Sequence, residues 1–282
     1  MKPLGPKPAL RFIVMATVIL ILGPHAFADA SGVTEASYGG RSLLIYVPSQ
    51  LPEKSALVVV LHGGLGNAQR IESGLSENGL NMDTVADKDH FIVAYLNGTP
   101  VTRRMGANML GWNAGGGCCG QSAARNIDDV RYIQGAVEYI AGRYGIDRSR
   151  IYGLGHSNGA MMTLRVLCET GMYAAAVAIS GPLNLNTSGC PSARGKRVLA
   201  IHGADDVNVP IAGGQGEGLS RASYNSAERS RQIFANSGVA YNLQIVPGAD
   251  HKLDHIGAAI QQAEGVSVAE KAAEFFGLAA KR

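Results

Sequence analysis

The run Gly155-His156-Ser157-Asn158-Gly159 sets a serine between two glycines, each two positions away. It follows an apolar stretch ending at Leu154 and precedes a helical pattern carrying Met161, Leu164 and Cys168. A sharp strand-to-helix turn of this kind holds a serine in strained backbone geometry with its hydroxyl exposed, and the glycines let strand and helix approach closely. The chemistry expected of Ser157 is nucleophilic attack. G-x-S-x-G alone is a common pattern; its position at a strand-helix junction favours a nucleophile over a structural turn.

A serine hydroxyl is a weak nucleophile near neutral pH and needs a histidine base. There are seven histidines. His25 lies in the N-terminal segment, and His62 and His90 come too early for the order nucleophile, acid, base. His156 adjoins the nucleophile on a tight turn, where its ring is expected to point away, and His202 ends a strand just before an acidic loop. His251 and His255 remain, both after the last apolar strand. His251 is preferred, because it follows that strand through the short turn 247–250, whereas His255 lies about one helical turn further on. The orienting acid should follow a strand between the two, and Asp205 and Asp206 both do. Either could hold the imidazole in the required tautomer and stabilise its charged form. Asp250 and Asp254 do not follow a strand at that point.

Charge developing on a carbonyl oxygen must be met by fixed donors, each worth about 3 kcal/mol of barrier. The apolar segment Val58-Val59-Val60-Leu61 runs into His62-Gly63-Gly64, an H-G-G loop of the kind found at such oxyanion holes. The backbone N–H of Asn158 is one expected donor and that of Gly64 the other, with Leu65 the alternative if the loop register differs. His62 is read as a structural hydrogen-bonding residue.

These groups need a scaffold, and apolar runs alternating with helical patterns supply one: a mostly parallel sheet covered on both faces. Strands are predicted over 43–47, 56–61, 91–96, 150–154, 174–179, 197–201 and 241–246, and helices over 126–144, 158–169, 224–236 and 267–276. Asp128 and Asp129 fall in a first helical turn, where negative charge suits the dipole. Residues 97–125 form an aperiodic loop far longer than the usual strand-to-helix link. The N-terminal thirty residues read as a signal peptide. Lys2, Lys7 and Arg11 give a positive start, residues 12–22 an apolar core, and Ala26-Phe27-Ala28 or Ala28-Asp29-Ala30 a cleavage site. The apolar core is about half the ~20 residues that span a bilayer. Residues 31–282 are expected to form one domain, secreted or periplasmic, with no membrane span.

The formal charge of +3 includes the three basic residues of that segment, so the remainder is near neutral. It carries no basic block of the kind a nucleic-acid surface needs, and nucleic acid is not expected as a partner. No metal-ligand spacing is evident, and the glycine cluster after Leu61 lacks the lysine of a phosphate-binding loop, so neither metal nor cofactor is expected. Four cysteines in an oxidising compartment favour disulfides. A Cys168–Cys190 bridge is the favoured pairing. Cys118 and Cys119 leave open a bridge between neighbours, two free thiols, or cross-pairing.

Several segments together resemble one family, the secreted esterases known as polyhydroxybutyrate depolymerases and feruloyl esterases, including mycobacterial-type lipoprotein relatives. They are 61–64, Gly111-Trp112-Asn113 with Cys118-Cys119, 127–130, 150–162, His202-Gly203 with Asp206 and Val209-Pro210, and the approach to His251. The resemblance covers nearly all of residues 31–282. It implies an α/β-hydrolase fold and carboxylic-ester hydrolysis through an acyl-enzyme. Its H-G-x-x-D pattern makes Asp206 the acid. Two departures stand out: Ala160 replaces a common glycine, and Lys252-Leu253-Asp254-His255 follows His251 where the family often has an aromatic and a proline. The expected substrate is a polyester or a polysaccharide-linked ester. A serine peptidase and a non-catalytic binding protein retaining the fold are the alternatives. The long loop, with Met105, Met109, Leu110, Trp112 and Asn113, is expected to wall the pocket, and Trp112 and Asn113 to bind substrate; the competing reading of Trp112 is a buried loop anchor.

Overall fold

The computed structural model describes residues 1, 31–73, 80–102, 108–218 and 222–279. Apart from Met1, the expected signal segment lies outside them, as does Met105. Eight strands form the main sheet: β1 (Gly32–Tyr38), β2 (Arg41–Val47), β3 (Ser55–Leu61), β4 (Ile92–Leu96), β5 (Ile146–His156), β6 (Ala175–Ile179), β7 (Arg197–Gly203) and β8 (Ala240–Val246). Their spatial order is β1-β2-β4-β3-β5-β6-β7-β8. The β1–β2 and β2–β4 pairs are antiparallel, and every pair from β4 to β8 is parallel.

The centre of the sheet follows from its composition. Every residue of β3, Ser-Ala-Leu-Val-Val-Val-Leu, is buried. Successive side chains point to opposite faces, so Leu57, Val59 and Leu61 enter one core while Ala56, Val58 and Val60 enter the other. The helices are α1 (Ala68–Glu72), α2 (Met82–Asp89), α3 (Gly120–Ala124), α4 (Asp129–Arg143), α5 (Asn158–Thr170), α6 (Ala227–Ala235), α7 (Leu253–Glu264) and α8 (Val268–Phe276). The first core is covered by α4, α5 and α6, the second by α1, α2, α7 and α8. This is the α/β-hydrolase arrangement expected from the sequence.

The differences have local causes. β1 is an edge strand whose residues alternate between half-buried and exposed, so it has no apolar run to betray it. The helix predicted from residue 126 begins at Asp129, because Asn126 is left-handed (φ 48°) and the Asp128 side chain caps the Arg131 N–H. Asp129 does more than suit a dipole. Fully buried, it pairs with Arg41 of β2 at 2.6 Å and accepts the Asn113 N–H at 2.7 Å, fastening the long loop to the sheet. Cys168 at the end of α5 is bridged to Cys190, with Cα atoms 4.6 Å apart, and Cys118 is bridged to its neighbour Cys119. Among the described residues no helix is long and apolar enough to cross a membrane.

Candidate active site

β5 ends at His156 and α5 begins at Asn158, so Ser157 makes the whole turn between them. Its backbone has φ 54° and ψ −121°, a conformation that side-chain-bearing residues rarely adopt. The Ser157 N–H is given to the Ile179 carbonyl of β6 at 2.8 Å, which fixes the turn to the sheet. A Cβ on Gly155 would strike the Gly159 carbonyl, and one on Gly159 would strike the Leu61 carbonyl. The two glycines are therefore demanded by contact between strand, helix and the end of β3.

His251 hangs from the turn after β8, and its Nε2 lies 2.8 Å from Ser157 Oγ. Its Nδ1 lies 2.7 Å from Asp206 Oδ2. A carboxylate only accepts, so Nδ1 carries the hydrogen and Nε2 is left as the acceptor facing the serine hydroxyl. Asp206 is buried, whereas Asp205 is exposed and gives its N–H to Ala249. Burial alone would raise the Asp206 pKa. Hydrogen bonds from His202, His251 and the Val209 N–H outweigh it and hold the carboxyl well below the usual carboxylate range. His255 is exposed and faces Asp250 Oδ1 at 2.9 Å.

Two further histidines serve this group in ways that their positions in the chain did not suggest. His156 points away from Ser157, as a tight turn requires, but its Nε2 donates to the His251 carbonyl at 2.9 Å. Burial lowers its pKa to about 4, with the nearby His251 adding to the effect, so the ring is neutral at pH 7. His202 donates from Nε2 to the Val209 carbonyl at 2.8 Å, with Asp206 Oδ2 3.2 Å away, and so steadies the acid from behind. An aspartate four residues after a buried strand-end histidine was the available signal. His62 is a structural residue: it donates to the Gly63 carbonyl, accepts the Gly98 N–H and lies 5.1 Å from the Trp112 ring.

Beside the serine is a cavity of about 410 Å³, bordered by Gly64, Asn158 and His251 and by the apolar side chains of Leu65, Val101, Met161 and Val209. Its described lining contains no Lys, Arg, Asp or Glu. The Leu65 N–H is already given to the Leu110 carbonyl at 2.8 Å, and Gly64 borders the cavity. The Asn158 N–H opens the first turn of α5, where no intrahelical acceptor exists. A histidine base oriented by a buried carboxylate can activate the hydroxyl it faces.

Trp112 and Asn113, expected in the pocket wall, stand behind it. Trp112 is wholly buried: its indole N–H donates to the His62 carbonyl at 3.0 Å and its ring lies 6.4 Å from Tyr132. The Asn113 amide caps Asn126 and Ile127. Both are held back because the polar ends of this segment are spent on Asp129 and on Asn158, whose side chain accepts the Trp112 N–H and donates to its carbonyl. The wall belongs instead to Val101, Thr102, Cys118 and Cys119. Among the described residues no group of three or more His, Cys, Asp or Glu could hold a metal ion.

Fold and site together define an esterase-type α/β-hydrolase. The chain belongs to the phospholipase/carboxylesterase family, whose model matches residues 45–254. It is 34% identical over 153 residues to feruloyl esterase B of Neurospora crassa, covering 52% of this chain and 46% of that protein. It is 27% identical over 169 residues to the bifunctional acetylxylan esterase/xylanase XynS20E of Neocallimastix patriciarum, covering 59% of this chain and 22% of that protein. The chain thus spans less than half the length of either relative. Among solved structures, an acetyl xylan esterase from Aspergillus awamori superposes with a TM-score of 0.58 at 16% identity, covering 88% of this chain and all of that one. The LpqC poly(3-hydroxybutyrate) depolymerase of Bordetella parapertussis gives 0.55 at 17% identity, covering 89% and 96%. At those identities the likeness is one of fold.

Proposed function

We propose that this chain is an exported serine esterase that cleaves a polysaccharide-linked or polyester carboxylic ester through an acyl-enzyme. In this reading residues 1–30 are a signal peptide and residues 31–282 one catalytic domain. Ser157 Oγ attacks the ester carbonyl as His251 Nε2 takes its proton. Asp206 keeps the imidazole oriented and balances its charge. Gly64 and Asn158 donate their N–H groups to the oxyanion. His251 then returns the proton to the departing alcohol, and water repeats the sequence on the acyl-serine. The observation that carries the reading is the unbroken chain from Ser157 Oγ to His251 to Asp206, at 2.8 and 2.7 Å, beside a cavity whose described lining holds no Lys, Arg, Asp or Glu. Such a lining suits a neutral ester better than an ionic substrate.

A fluorophosphonate probe should label the purified protein, and Ser157→Ala should abolish the label. An unlabelled wild type would point to a binding protein that keeps the fold. Nitrophenyl esters, methyl ferulate, hydroxybutyrate oligomers and peptide amides should then be compared on one preparation. Esters should turn over; cleavage of amides alone would make the protein a peptidase. Export is tested separately, by sequencing the N-terminus of the protein recovered outside the cytoplasm, where cleavage after Ala28 or Ala30 is expected.

A further inference from the structure

A disulfide between sequence neighbours is hard to explain as a staple. Bridges stabilise chiefly by closing a loop in the unfolded chain, and neighbours close almost none. Cys168 and Cys190 are 22 positions apart and fit the ordinary role; Cys118 and Cys119 do not. The effect of the second bridge must lie in the shape of the folded protein, and both of its cysteines line the cavity beside Ser157.

We propose that the Cys118–Cys119 disulfide is the specificity-determining wall of the acyl pocket, an inference that rests on the esterase reading above. Three observations support it. The bridge borders the cavity with Cys118 buried and Cys119 half-buried, and the same cavity is lined by the apolar side chains of Met161 and Val209. Its turn is tied to the elbow: the Trp112 carbonyl accepts both the Cys119 N–H at 3.0 Å and the Asn158 side-chain amide at 3.1 Å, and that amide lies 3.6 Å from Cys118 Sγ. The turn cannot slide outward, because Gly115 and Gly116 press on Asn184 so closely that a Cβ on either would collide with it. The bridge holds the half-buried Cys119 as a fixed, polarisable apolar edge of the cavity without a hydrogen-bond donor, backed by the buried Cys118 and suited to the flat side of an unsaturated or aromatic acyl group. Two thiols in their place would rotate independently and carry S–H groups into the pocket. An acetyl group, held by the oxyanion donors, is too short to depend on this wall.

The test compares nitrophenyl esters that share one alcohol and differ in acyl group, acetyl against an aryl-propenoyl chain. The full-length protein is assayed oxidised and after mild treatment with a dithiol. Each bridge opened takes two electrons and two protons from the reagent, which closes to its own disulfide. Alkylation and mass spectrometry identify protein in which Cys118 and Cys119 are reduced and Cys168–Cys190 is intact. The ratio of kcat/KM for the bulky over the acetyl ester should fall about tenfold on reduction and recover on reoxidation. Cys118→Ala/Cys119→Ala should lower the same ratio without recovery. A ratio unchanged in reduced protein, or equal losses on both esters, overturns the inference while leaving an active esterase. Failure of the oxidised protein to cleave either ester overturns the esterase reading and this inference with it.

Discussion

The two ends of α5 are built on opposite terms. At its N-terminus Ser157 sits at positive φ, the neighbouring glycines permit contacts that no Cβ would survive, and the Asn158 side chain is spent on the backbone of a loop. At its C-terminus Gly171 closes the helix in the left-handed conformation that glycine adopts easily, and Cys168 is bridged to Cys190. The strained turn costs about 1–3 kcal/mol. On the chain-entropy estimate, a bridge across 22 positions contributes about 3 kcal/mol. One helix therefore holds both a destabilising feature and one large enough to offset it, separated by three turns. Strain collects where a hydroxyl must be presented, and reinforcement collects where nothing need be exposed.

The sharpest way to break this contrast is at the strained end. Ser157→Ala should lower ester turnover by about 10⁵–10⁶-fold, with the residual rate reflecting the oxyanion donors. Ser157→Gly should be equally inactive yet about 1 kcal/mol more stable in denaturant titration, since glycine accepts the turn without strain. A loss of stability in the glycine variant would place the strain elsewhere. His251→Ala should lower kcat at least ~10³-fold, while His255→Ala, on the exposed side of the same segment, should change it less than about threefold. The reverse result would move the base to His255. At the reinforced end, Cys168→Ala/Cys190→Ala should cost about 3 kcal/mol of stability while changing kcat/KM less than about twofold. A large kinetic effect there would mean that the two ends are coupled.

Acid also finds the elbow. Burial lowers His62 and His156 from 6.5 to about 4, so the unfolded chain takes up their protons first. Their contribution is full above pH 6.5 and declines as pH falls toward 4. Asp83 has the opposite sign. Burial, with the neighbouring Glu72 carboxylate, raises it from 3.8 to about 7, against the hydrogen bond from Tyr95, and so offsets about one histidine. Asp206, depressed below its usual range, adds a loss only at still lower pH. The net loss between pH 6.5 and 4 is about 3 kcal/mol at most, or roughly 5–10 °C in Tm by calorimetry. His156→Gln keeps a donor for the His251 carbonyl and should flatten most of that decline. A wild-type Tm unchanged over this range would contradict the assignment of both rings as neutral.

What could be read from the sequence was whatever local pattern determines. The strand-turn-helix context of Ser157, the buried run of β3 and the order of the later strands are visible because a few consecutive residues dictate each of them. Lying one turn apart, His251 and His255 could be ranked because the distance from the end of β8 is short. The pocket wall was another matter. Trp112 could be read equally as a binding residue or as a buried loop anchor, and only the buried Asp129–Arg41 pair and the Asn158 side chain, each dozens of residues from its partner, show why it is drawn inward. The supporting role of His156 was hidden for the same reason, its partner being a backbone carbonyl 95 residues away, whereas that of His202 lay in plain view four residues from Asp206. β1, alternating and half-exposed, carries too weak an apolar signal to stand out.

The absence of lysine and arginine from the described lining of the cavity bears on what happens after bond cleavage. In the proposed reaction an ester arrives uncharged and its acid half departs ionised, beside a described lining that offers a carboxylate no cation to hold it. A lining of that kind predicts weak retention of the ionised acid, so that free acid added to the assay should slow turnover little.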